Sequence, residues 1–249
     1  MLGWEIFRHA VRMVFRNFHD ALRVSAVLYL VQVAASLWVE TAMPKGARDG
    51  DAFEMIPVGS LTTALFLGVA AVISSLWIAV AWHRFVLAEE YPSGWLPRWH
   101  GDRMFAYFGW GIAISLIVLF GAVLMTIPVS VLVMLMPPLA IFMPFAFTFF
   151  AAWFGFRLSI KLPAVAMGNP LKLSEVWERT SGSTGTFLVL ALCTLGAIVA
   201  VSVIPAVLGT AAPSLAFALG AIANWVVTMV GISILTTLYG VYIEGRRLG

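Results

Sequence analysis

A single cysteine, Cys193, stands in the whole chain and sits in an apolar run, so no intrachain disulfide can form. Its redox compartment cannot be read from cysteine usage. Charge is scarce too: 11% of residues are charged against 61% hydrophobic, with a mean hydropathy of +0.97. That is too little polar surface to cover a water-soluble globule of this size, and a lipid solvent is expected instead. No Lys, Arg, Asp or Glu occurs between Arg103 and Arg157 or between Arg179 and Glu244. Each gap holds two spans of roughly 20 residues. The motifs of familiar chemistry are missing as well: no GxxxxGK(S/T) phosphate loop, no HExxH helix and no GxSxG elbow. The hydroxyl-rich stretch Thr180 to Thr186 lacks the lysine that a phosphate loop needs. No acid, base or histidine is expected deep in a span, which argues against a proton relay or a charged-substrate path. No catalytic residue, cofactor or metal is expected.

What is present begins with an amphipathic helix over about 4–20. Trp4, Phe7, Val11, Val14, Phe15, Phe18 and Leu22 recur at helical spacing, opposite a stripe of Arg8, Arg12 and Arg16. Such a helix suits the headgroup boundary, with its apolar face dipping into the acyl region. It is too long and regular for the basic region of a cleaved secretory signal. Six spans follow, at about 24–42, 58–81, 105–136, 139–156, 187–208 and 214–239. The expected fold is an all-α, polytopic membrane domain of three helical hairpins, each introduced by an interfacial segment. Pro128 offers a kink in the over-long third span, and Pro137 with Pro138 forces a turn. Pro163 is expected to end the helix that emits Arg157 and Lys161, and Asn169 with Pro170 to start the next.

Orientation follows from the basic residues. Thirteen of the fifteen Lys and Arg fall on one side of this scheme and only Lys45 and Arg48 on the other, which places both termini in the cytoplasm. Nothing in the net charge of +3 calls for nucleic acid. Arg8, Arg12, Arg16, Arg84, Arg98, Arg103, Arg157, Lys161 and Arg179 form a basic belt, the candidate contact for anionic lipid or a partner protein. The positive-inside bias alone would also produce such a belt. His83, Glu89, Glu90, His100 and Asp102 match no metal-ligand spacing and read as a solvated interfacial loop. Gln32 and Asn224, inside spans, are expected to make polar contacts between helices.

The stretches FRLSIKLPAVAMG (Phe156 to Gly168) and LKLSEVWERTSG (Leu171 to Gly182) carry a resemblance. Arg157, Ser159, Pro163 and Ala164 at a span exit, then Trp177 and Thr180 before a Thr-rich break, resemble six-span bacterial membrane proteins. These are the group near the membrane domain of glycerophosphodiester phosphodiesterases and the YciC-like proteins. The resemblance implies a membrane module in a bacterial inner membrane. No phosphodiesterase domain accompanies it, so no catalytic residue carries over. The expected role is an accessory, scaffold or assembly protein for a larger membrane complex, or a lipid-organising module. The rivals are a transporter or channel for a neutral or lipidic substrate, and a membrane lipid enzyme.

Overall fold

The computed structural model describes residues 1–42 and 58–248, and among these it is all-α. The polar loop expected to hold Lys45, Arg48, Asp49, Asp51 and Glu54 lies outside the described residues. Helix α1 is Leu2–Arg16, α2 Phe18–Ala42, α3 Val58–Ala88 and α4 Gly101–Leu135; a 3-10 turn, Pro137–Phe142, leads into α5, Met143–Ser159. Then come α6 (Lys161–Met167), α7 (Leu173–Arg179), α8 (Thr184–Leu208) and α9 (Pro213–Tyr242). Six helical segments are long and apolar enough to cross a membrane, in the order expected, and the chain reads as an integral membrane protein. The fourth of them, Pro137–Met167, runs through the 3-10 turn, α5 and α6. Helix α4 has 35 residues, so at 1.5 Å per residue it is about 52 Å long against a hydrocarbon core near 30 Å.

Burial is uneven along the helices. On α4 the last buried residue is Ile114, and the 21 residues from Ser115 to Leu135 bury none. On α3 burial runs from Ser74 to Phe85, and on α8 only Phe187, Leu190 and Ala191 are buried. These sites all lie toward the end of the bundle that carries the charged residues. There Ile6, Val14, Val24, Trp82, Ile160, Phe187, Met229 and Leu238 share one core, while Val80, Met104, Leu158 and Val165 share a second. The opposite ends are apolar and exposed, which lipid tolerates because acyl chains are as apolar as leucine.

Three expectations need correcting. Helix α1 does not rest its large apolar face in lipid alone: it packs on the bundle through Gly3, Ile6, Ala10 and Val14. Gly3 sits so close to α8 that a Cβ there would lie 2.3 Å from the Thr186 carbonyl oxygen. Trp4 and Phe15 stay exposed, as do Arg8, Arg12 and Arg16. Second, Pro163 does not end a helix. The break falls at Ile160, and Pro163 lies in the first turn of α6, where its missing N–H would have had no intrahelical acceptor. Third, Asn169 caps no helix. α6 ends at Gly168 in the left-handed region (φ 77°), α7 begins at Leu173, and Asn169 Nδ2 donates to the Tyr239 hydroxyl at 3.0 Å.

Candidate functional site

Helix α6 is the centre of the charged end, with every residue from Lys161 to Ala166 buried. Around it the polar side chains are satisfied by one recurring device. A serine or threonine hydroxyl donates to the carbonyl one turn back in its own helix and accepts from an N–H of another element. Ser233 donates to Met229 O and accepts Trp82 Nε1–H at 2.8 Å. Ser25 donates to Ala21 O and accepts Trp225 Nε1–H at 2.9 Å. Thr180 donates to Val176 O and accepts Arg157 Nε–H at 2.7 Å. Trp82 Nε1, Trp225 Nε1 and Arg157 Nε thereby each find an acceptor without an acid entering the bundle.

His83 extends the device to three helices. α3 continues past Ala81 to Ala88, so this histidine is wholly buried in the core rather than placed in a solvated loop. Its Nδ1 lies 2.8 Å from Thr236 Oγ1 on α9 and its Nε2 3.2 Å from the Tyr107 hydroxyl on α4. Thr236 gives its own proton to Ile232 O, so Nδ1 carries the hydrogen and donates to Oγ1, while Nε2 accepts from Tyr107. Both ring nitrogens of a neutral imidazole are then used, leaving no lone pair for a metal. Among the described residues no group of three His, Cys, Asp or Glu side chains is placed to hold a metal ion.

Outside the spans, Glu90 ties the loop after α3 to the bundle. Arg84 Nε and Nη2 each reach Glu90 Oε2 at 2.7 Å, His100 Nε2 lies 2.8 Å from Oε1, and Arg84 Nη1 donates to Ala166 O. Partial burial pushes the Glu90 carboxyl up, but the hydrogen bonds from His100 and Arg84, with their charges, outweigh it and hold it below the usual carboxylate range. Glu89 makes the turn possible with a left-handed φ of 53°.

The basic belt divides. Arg98 is exposed, and Arg179 is exposed with its guanidinium on Glu175 and the Ile243 carbonyl. Arg103 pairs with Asp102 at 3.2 Å, and a Cβ on Gly168 would sit 2.5 Å from its Nη1. Arg157 and Lys161, expected at the surface, are each only 6% exposed. The Arg157 guanidinium lies 3.5 Å from the Trp177 ring centroid, and Lys161 Nζ bonds the Leu171 carbonyl and lies 4.4 Å from that of Trp110. Trp110 and Trp177 shelter the cations. A tryptophan close by in space was the signal needed, and Trp177, twenty residues away in sequence, could not be paired from spacing.

Clefts between the helices open toward lipid. Between α3 and α4 a groove of about 630 Å³ is lined by Ala64, Gly68, Val72, Leu76, Met104, Phe108 and neighbouring apolar residues, with Trp99 and Gly101 at the end near Arg98 and Arg103. Between α2 and α9 a smaller pocket of about 290 Å³ is lined by Tyr29, Gln32, Ser36, Gly220, Ala221 and Asn224. Asn224 makes the interhelical contact expected of it, donating to Tyr29 OH at 3.1 Å, and that hydroxyl donates to Ala221 O at 2.7 Å. Gln32 does not: its buried Nε2 has no hydrogen-bond partner. No protein-family model, no curated protein and no solved structure matches this chain.

Proposed function

We propose that this is a non-catalytic membrane module that organises lipid, serving as an accessory or scaffold subunit in a bacterial inner membrane with both termini cytoplasmic. The observation that carries the reading is the α3–α4 groove. Its volume lies within the range of small-ligand sites, roughly 300–1,000 Å³. Its lining is almost wholly apolar, which suits an acyl chain, and Arg98 and Arg103 near its charged end suit an anionic headgroup. Because lipid tails gain little from leaving other lipid, packing and headgroup charge would have to provide selectivity. The apolar stretch of α4 beyond Ile114 offers a separate surface for a partner helix. The test is native mass spectrometry of protein released from nanodiscs. Gly68→Phe, which fills the groove from a position with open space around it, should release co-purifying phospholipid while leaving thermal stability unchanged. Equal lipid retention by variant and wild type would refute the groove as the binding place.

A second reading, a transporter or channel for a neutral substrate, draws on the α2–α9 pocket. It carries the polar groups of Tyr29, Gln32, Ser36 and Asn224 but no carboxylate, cation or histidine, and its Gly220 lies beside Pro205, whose Cβ is 3.8 Å from where a Cβ on Gly220 would be. A bound molecule accepting from Gln32 would satisfy an otherwise orphaned donor. Uptake of neutral solutes into proteoliposomes, abolished by Gln32→Leu, would favour this reading over the first.

A further inference from the structure

The α2–α9 pocket keeps polar groups at a depth where water is scarce. Gln32 lies ten residues from Ala42 at the end of α2, and Asn224 eleven from Pro213 at the start of α9. At 1.5 Å per residue both sit about 15 Å inside, half the thickness of a hydrocarbon core near 30 Å. Hydrogen-bonding groups are costly there unless something answers them. Tyr29 is answered, by Asn224 Nδ2 and by the Ala221 carbonyl. Its neighbours are not. Gln32 makes no hydrogen bond among the described residues: its Nε2 is buried without a partner, while its Oε1 is open. Ser36, one turn further along α2, is exposed and makes none among them either, although Ser74 and Ser75 on α3 each bond back to the carbonyl one turn earlier. Asn224 is exposed and uses only Nδ2. One pocket of about 290 Å³ joins all of them, with Val33 and Phe217 among its apolar walls.

We propose that this pocket binds the hydroxyl group of an uncharged alcohol. The proposal rests on the second reading above only in treating the pocket as a ligand site, and passage across the membrane is not required. No carboxylate, cation or histidine lines the pocket, so nothing would offset a charge on the ligand at this depth. The open groups are the carbonyl oxygens of Gln32 and Asn224 and the Ser36 hydroxyl, so the ligand must donate as well as accept. A ketone, ester or ether has no hydrogen to give them. The Gln32 amide can also turn end for end about its last torsion, which has two broad wells, and an alcohol answers either end. The volume lies at the lower edge of small-ligand sites, roughly 300–1,000 Å³, which is room for one headgroup and not for a large substrate. Because the cleft opens toward lipid, an alcohol carried on a hydrocarbon chain reaches it directly, although a small soluble alcohol has the same chemistry.

The probes are 1-hexadecanol and its methyl ether, which share a chain and an oxygen and differ in the hydroxyl hydrogen. Tritiated hexadecanol bound to immobilised protein in detergent micelles is counted by scintillation proximity, and each unlabelled compound competes against it. With wild type the alcohol should compete about fivefold better than the ether, the factor of one neutral hydrogen bond. Ser36→Ala and Gln32→Leu should each weaken hexadecanol by about the same factor and narrow its lead over the ether. Neither should lower the melting temperature of ligand-free protein, because the removed groups have no protein partner among the described residues. Propane-1,2-diol separates the sources: displacement of hexadecanol by the diol assigns a soluble alcohol, and no displacement assigns one carried by the membrane. The proposal is overturned if wild type treats alcohol and ether alike, if both variants bind hexadecanol like wild type, or if Ser36→Cys cross-links two copies of the chain, which would make the polar cluster a helix contact. Proteoliposome uptake is read separately. Alcohol binding without uptake ends the transport reading and leaves this site standing, while uptake of a neutral solute by a protein indifferent to the hydroxyl does the reverse.

Discussion

Removing the Thr236 hydroxyl tests the three-helix junction most directly. Thr236→Val is nearly isosteric and takes away the acceptor of His83 Nδ1–H, a 2.8 Å bond in the dry core. Interhelical hydrogen bonds in membrane bundles contribute about 0.6 kcal/mol on average and up to ~1.7. The single variant should fall in that range, because the imidazole can move its proton to Nε2 and donate to the Tyr107 oxygen instead. Tyr107→Phe should cost less, since its bond to Nε2 is 3.2 Å. The double variant removes both escapes and leaves a buried N–H with no acceptor, a full desolvation cost of about 1–3 kcal/mol. Its destabilisation should therefore exceed the sum of the singles by at least ~0.5 kcal/mol, the coupling expected of two groups sharing one ring. Reversible unfolding in mixed micelles, followed by tryptophan fluorescence, measures all four corners of the cycle. Additivity within about 0.3 kcal/mol, the usual result for independent sites, would show that His83 does not join the two helices as described.

Two further outcomes follow from the packing. The Glu90 carboxyl is held below its ordinary value of 4.5, so its contribution to stability is complete above that value and is lost as pH falls through the depressed one; melting temperature measured downward from pH 6 should show an acid step that Glu90→Gln removes, and an unchanged profile would contradict the Arg84–Glu90–His100 tie. Gly3→Ala puts a methyl group 2.3 Å from the Thr186 carbonyl oxygen, backbone that cannot rotate aside, and should cost about 1–3 kcal/mol by forcing α1 off α8; faster proteolysis near Asn17 would report the detachment, and an unaltered rate would mean that α1 is not seated there.

The six long apolar helices were legible because transfer into lipid is nearly additive along a chain. A charge-free interval such as Arg103 to Arg157 announces its preference without reference to any other segment. Local grammar was weaker. Pro163 reads equally well as a helix end or as the first turn of a new helix, and only the break at Ile160 decides between them. Charge misled most. Arg157 and Lys161 count as surface residues on any hydropathy scale, yet Trp177 and Trp110 cover them once α7 and α4 come alongside.

Residue order alone thus settles solvent, helix number and the end at which charge collects, because each is a sum over neighbours in sequence. Which hydroxyl meets which ring is a different kind of fact. Trp82 with Ser233, His83 with Thr236 and Ser25 with Trp225 lie 151, 153 and 200 positions apart, and a hydrogen bond fails when its atoms miss by an ångström or so. Such encounters depend on the seating of whole helices, and with them go the burial of His83 and of Arg157.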